Sequence, residues 1–173
     1  MKTSYLICTV LITIVCGCTA KLEVPEGKVA VTFNRETGEV SEKVLNEGRH
    51  DVSLNTVVVF YDLKPSQTNL SFDFLYKDVS EGQITFSIKF KPRVDSLSEF
   101  YKEHKTDGLS VAMRSGIKAD VRDLMSKLSP EEANVEAVFK TIKDQLTTKS
   151  EVNRFIEIIE FVPGSIKVTQ PNK

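Results

Sequence analysis

Residues 84–101 read ITFSIKFKPRVDSLSEFY, and the fold turns on the change of rhythm inside them. Ile84, Phe86, Ile88 and Phe90 alternate with Thr85, Ser87 and Lys89, the period of two that sends every second side chain of a strand to one face. From Asp95 the apolar residues Leu97, Phe100 and Tyr101 fall at helical spacing, with Ser96 and Glu99 in the form of a capping box and Asp107-Gly108 as the break. A strand therefore hands over to a helix within a few residues.

Upstream, Leu70, Phe72, Phe74 and Tyr76 alternate with Ser71, Asp73 and Leu75, and the turn DVSEG joins this run to the strand at Ile84 as an antiparallel partner. The run TVVVFYDL from Thr56 is continuously apolar and β-branched, which predicts a central strand covered on both sides. Val29, Val31 and Phe33 predict a half-buried strand, and the turn Asn34 to Glu39, with Gly38, returns it as a hairpin around Val40 to Leu45. A turn is expected at Asn46 to Gly48, and residues 19–27, TAKLEVPEG, read as a brief tether.

Downstream, Leu109, Met113, Ile117, Val121, Leu124 and Leu128 form one apolar stripe on a long helix, despite Gly116. Ser129-Pro130-Glu131-Glu132 has the residues of a helix start, and Val135, Val138, Phe139, Ile142 and Leu146 supply the next stripe. Phe155 to Val162 returns to a β-like run, which Pro163-Gly164 turns into a last extended piece, Ile166 to Val168. Strands, then helices, then a closing strand predict an α+β fold with helices packed on one face of a mainly antiparallel sheet.

The chain has 173 residues, 40% hydrophobic and 27% charged, the composition of one ordinary folded domain. The formal net charge is -1. Residues 1–17 contain only Lys2 of the 23 basic residues, so without them 22 face 24 acidic ones. No basic field for nucleic acid is present.

All three cysteines, Cys8, Cys16 and Cys18, stand in the first eighteen residues. Met1-Lys2 supplies a positive start, and Tyr5 to Val15 an apolar run shorter than the roughly 20 residues that span a bilayer. Val15-Cys16-Gly17-Cys18 then resembles the bacterial lipobox: an aliphatic residue, a tolerant position, a small residue and a cysteine. The resemblance implies that Cys18 receives a diacylglycerol, that signal peptidase II cuts before it, and that Cys16 is discarded. It also implies residence on a bacterial membrane outside the cytoplasm. Thr19, standing where inner-membrane lipoproteins carry aspartate, points to the outer membrane in a Gram-negative cell. With only His50 and His104 as further soft ligands, a metal-binding Cys-x-Cys has too few partners.

Catalytic motifs are absent: the sequence has no glycine-rich phosphate loop, no Gly-x-Ser-x-Gly elbow, no His-Glu-x-x-His and no Cys-His pairing. His50 and His104 read as polar turn or surface residues, and Glu131-Glu132 as charges favouring a helix start. No enzyme activity and no cofactor are expected. The aromatic faces of Phe72, Phe74, Phe86 and Phe90 read first as core. As a rival they enclose a lipid or small apolar ligand, which would make the protein an envelope ligand-binding lipoprotein.

Beyond the lipobox, the chain resembles the SPFH domain, also called the prohibitin homology or Band 7 domain, in the order of short cues along roughly residues 24–168. Gly27-Lys28-Val29-Ala30-Val31 resembles its opening strand, Glu47-Gly48-Arg49-His50 its Gly-Leu-His turn, and Tyr61-Asp62-Leu63-Lys64 its Tyr-Asp-x-Arg strand. Asp78 to Gln83, Phe90-Lys91-Pro92, Asp95-x-Leu97 with Phe100-Tyr101, and Ile156 to Val162 follow in register. Arg49 and Lys64 replace the usual leucine and arginine, and an acyl anchor replaces the usual membrane segment.

The resemblance implies a scaffold or adaptor in membrane organisation, with a membrane protease or other SPFH proteins as partners. The expected layout is a signal peptide over 1–17, lipidated cysteine and tether over 18–27, the domain over 28–168 and a polar tail over 169–173. No coiled coil is expected after the last strand, which leaves homo-oligomerisation to other surfaces.

Overall fold

The computed structural model describes residues 19–105 and 108–169; Cys18 and the rest of the signal and lipobox reading lie outside the described residues. Among the described residues seven strands and three α-helices make an α+β fold whose strand pairs are all antiparallel. They form three sheets instead of one: β1 (Thr19–Val24) with β3 (Gly48–Ser53), β2 (Lys28–Asn34) with β4 (Thr56–Asp62), and β5 (Ser66–Leu75), β6 (Glu81–Pro92) and β7 (Ile156–Thr169) in the order β5-β6-β7.

β6 is the expected strand at Ile84 and the middle of its sheet. Its alternation is clean: Ile84, Phe86, Ile88 and Phe90 are buried, while Thr85, Ser87 and Lys89 are only partly covered. Burying each such side chain is worth roughly 1.5–3 kcal/mol. Leu70, Phe72 and Phe74 of β5 share the apolar face. Helices α2 (Leu109–Met125) and α3 (Val135–Thr148) pack there through Met113, Ile117, Val121 and Met125, and through Val138, Phe139, Ile142 and Leu146. Gly116 lets α2 come close to Val152, whose Cγ2 stands 2.5 Å from where a Cβ would be. Among the described residues there is no coiled coil.

Several local expectations are corrected. Residues 19–24 are not a loose tether but strand β1, and the turn expected at Asn46 to Gly48 ends in strand β3. Residues 40–45 do not make a regular hairpin strand with β2. They touch it at two isolated bridges, Phe33 to Val40 and Ala30 to Leu45, because Ser41 folds the chain between them by accepting from the Lys43 amide. β4 is not central: it pairs with β2 alone, and Phe60 is exposed on it.

The Ser96–Glu99 capping box does not form. The Ser96 hydroxyl donates back to the Arg93 carbonyl at 3.0 Å, and Glu99 is drawn to Arg154, so α1 (Leu97–His104) starts without a side-chain cap. The long helix stops at Met125, and Leu128 reaches the core from the turn beyond. Ser129 to Ala133 makes one closed turn, held by the Glu132 carboxylate on the Ser129 amide at 3.0 Å, and does not continue. Asn134 caps α3 instead, accepting from the Ala137 amide at 3.1 Å.

Pro163-Gly164 is a bulge, not a turn, so β7 runs unbroken. Thr85 pairs with Ser165 and Phe86 with Pro163, which leaves Gly164 unopposed; a second bulge leaves Ile159 unopposed between Glu160 and Ile158. A Cβ on Gly164 would stand 2.2 Å from the Thr85 carbonyl oxygen, a backbone atom that cannot swing away. Gly164→Ala is expected to lower unfolding free energy by about 1–3 kcal/mol, as forced overpacking does. A denaturation midpoint equal to that of the parent protein would contradict the close approach.

Candidate functional site

Among the described residues one cleft is lined by a serine, a histidine and a carboxylate, Ser115, His104 and Glu151, but no hydrogen bond joins the three, and Glu151 accepts from Arg154 instead. Residues far apart in sequence meet in a second, smaller core, distinct from the one under α2 and α3. Val29 and Val31 of β2 meet Leu97 and Tyr101 of α1, with Phe33, Val59, Tyr61 and Leu63 packed around them. The rings of Phe33 and Tyr101 stack at 5.2 Å, and Tyr61 meets Phe100 edge-on at 6.2 Å. Period two in β2 turns Val29 and Val31 to one side, and the helical spacing of Leu97 and Tyr101 presents both to them.

One corner of this core is tied by the backbone. Gly27 has φ +72°, a left-handed conformation that glycine adopts without strain. Its amide donates to a Glu47 carboxylate oxygen at 3.2 Å, and its carbonyl accepts from the Leu63 amide at 3.0 Å. Asp62 accepts from the Lys64 amide at 2.8 Å, turning the chain out of β4. Residues 27, 47 and 62–64, far apart in sequence, thus meet at one place.

Along α1 an arginine gathers three carboxylates. Arg154 donates to Glu151 at 2.9 Å, to Glu99 at 2.6 Å and to Glu103 at 3.2 Å, and its guanidinium lies 5.0 Å from the Phe155 ring. The hydrogen bond it donates to Glu151, and then the charges of Glu99 and Glu103, push its pKa up. The groups are open to solvent, so the network orients the 3-10 turn Glu151–Arg154 against α1 more than it stabilises the fold. Arg93 braces the same junction from the other side, donating to the carbonyls of Asn153 and Ile156 at 2.9 and 3.1 Å. Ser150, which caps the turn by accepting from the Val152 amide, donates to Asp120 of α2 at 2.5 Å.

Between α1, α2 and this turn lies a small, mostly apolar cleft of about 250 Å³, lined by Phe100, His104, Met113, Gly116, Val152 and Phe155. The His104 ring lies 4.8 Å from Phe100 and 5.7 Å from Phe155, as a wedge between aromatics. His50 lies on β3, its Nε2 2.7 Å from the Asn46 carbonyl, and is not near His104 in any shared contact. Glu132 closes the turn at Ser129, whose amide holds its carboxyl below the usual range, and Glu131 is exposed. Phe72, Phe74, Phe86 and Phe90 are all buried in the core under α2 and α3, so their faces are filled by protein side chains. Among the described residues no group of three or more His, Cys, Asp or Glu is placed to hold a metal, and no helix is long and apolar enough to cross a membrane.

The sequence pattern had not singled out Arg154, Arg93 or β1. The first two act through tertiary contacts and leave no local signal. β1 did leave one: Ala20, Leu22 and Val24 alternate with Thr19, Lys21 and Glu23. No family model matches the chain, and no curated protein matches it.

Burial, and next the neighbouring Tyr101, raise the Tyr61 phenol from 10.0 to about 12. In the unfolded chain this proton leaves near pH 10, whereas the folded protein retains it to about 12, so unfolding releases a proton between those values. Stability is therefore expected to fall as pH rises from 10 to 12, with Tyr76, also raised by burial, adding to the slope. Tyr61→Phe should flatten that fall in denaturant melts taken across this window; an unchanged slope would mean that Tyr61 is not held in the second core.

Ser150→Ala removes both the turn's cap and the tie to Asp120, and is expected to cost about 1–2 kcal/mol. The check is an unfolding midpoint, with amide exchange over 151–154; no change in either would refute the brace.

Proposed function

We propose that this protein is a bacterial lipoprotein whose Cys18 is acylated and whose folded part is an SPFH-type domain serving as a scaffold or adaptor at the membrane. It organises neighbouring proteins instead of transforming a substrate, and the partner class this reading favours is a membrane protease or another SPFH assembly. The observation that carries it is the meeting of separate cues. The opening strand at Val29 and Val31, the strand end at Tyr61 to Leu63 and the helix start at Leu97 to Tyr101 pack into one core, with Gly27 and Glu47 hydrogen-bonded at its corner.

The lipobox at Val15-Cys16-Gly17-Cys18 supports the anchor. Two or three acyl chains, at about 0.8 kcal/mol per buried methylene, hold a protein on a bilayer without a spanning helix. The location is the bacterial envelope, outside the cytoplasm, with the outer membrane favoured by Thr19 where there are two membranes. Protein contacts are expected to use the domain's surfaces, because no basic field serves nucleic acid.

Cys18→Ser is expected to leave the precursor at full length and to abolish labelling by a palmitate analogue. Normal labelling of that variant would refute the anchor. Crosslinking in intact membranes is expected to join the wild-type protein to a membrane protease or an SPFH-family protein; crosslinks confined to abundant envelope proteins, in proportion to their abundance, would refute the adaptor role.

A further inference from the structure

The ladder of β1 and β3 begins at Thr19 itself, which pairs with Ser53. One residue spans at most about 3.6 Å. Cys18 precedes Thr19 directly in the chain, so an anchor on its sulfur is joined to the folded body with no slack. The end of this ladder must then stand at the lipid surface.

What stands beside that end is a turn with an apolar tip. After Ser53 the chain passes through Leu54 and Asn55 into β4, and Leu54 is 60% exposed. The turn is braced: the Asn55 carbonyl accepts from the Arg35 amide at 2.8 Å, and its side-chain amide donates to Glu36 at 2.9 Å. A single exposed leucine on a protein surface is ordinary. A leucine on a braced turn, next to the residue that follows the anchor, has an apolar phase within reach.

Resting on the acylation of Cys18 proposed above, we propose that the Ser53–Thr56 turn is a membrane-contact site, with the Leu54 side chain entering the bilayer interface beside the anchor. The occupant is a lipid surface. Arg35, exposed in the adjoining turn, faces the headgroup layer and suits anionic phosphate, while Glu36 of the same turn is engaged by Asn55. The contact fixes which end of the domain faces the membrane.

The chain has no tryptophan, so one introduced indole reports alone. Leu54→Trp, and as comparison Val79→Trp in the exposed turn between β5 and β6, are made in the full-length, lipid-processed protein. Each is reconstituted into phosphatidylethanolamine and phosphatidylglycerol vesicles with bromine near the headgroup end of the acyl chains. Circular dichroism checks that both variants retain the parent fold.

The expected result is a blue shift and loss of emission at position 54 and neither at position 79. Unquenched emission at 54 in protein that floats with the vesicles overturns the contact site and leaves the anchor standing. Protein that does not float overturns both. Equal quenching at 54 and 79 overturns the orientation, and a blue shift at 54 that grows with protein concentration in detergent alone assigns the turn to a second copy of the chain and overturns the lipid assignment.

Discussion

Strand β6 is the constraint on which the larger half of the structure depends. It is hydrogen-bonded on both edges, to β5 and to β7, and its alternate residues leave no choice about which face meets the helices. A slip of one residue would turn Ile84, Phe86, Ile88 and Phe90 to solvent. The two bulges in β7 keep a long closing strand in register with β6, and at one of them the approach to Thr85 admits only glycine. Helices α2 and α3 then need only one apolar stripe each.

The smaller half is organised differently, by convergence around α1. Two two-stranded sheets cannot each bury a core of their own, so β2 and β4 lean on Leu97 and Tyr101, and Arg154 fixes the far side of the helix. β1 and β3 are the least covered pair, with most of their side chains partly or fully exposed. This thinnest ladder begins at the residue after Cys18, where the proposed acyl anchor would bring a lipid surface to cover what a second protein layer otherwise would.

Where hydrophobic rhythm was strong, the sequence alone located the elements: the β5–β6 pair, the apolar stripe of α2 and that of α3 stand where Phe72, Ile117 and Ile142 put them. Where two local signals competed, tertiary contact chose. Ser129 and Asn134 are both good caps, and the helix starts at the one whose next turn places Val138 and Phe139 in the core. Glu99 could close a box with Ser96 or meet Arg154, and the arginine has three partners to offer. The run at Thr56 read as central because apolar content reports burial, not pairing; β4 is half-buried with one partner. The cues at Gly27, Glu47 and Lys64 could be found in the sequence, but that they share a corner is a property of the fold alone.

The account rests on an acyl chain holding this body against a bilayer by the residue next to its first strand. Intact-mass analysis of the protein taken from native membranes tests that most directly. The account predicts a mature chain whose first residue is Cys18 and whose mass carries a diacylglycerol adduct. A chain that begins elsewhere with a free amine, or that keeps residues 1–17 with Cys18 unmodified, would contradict it.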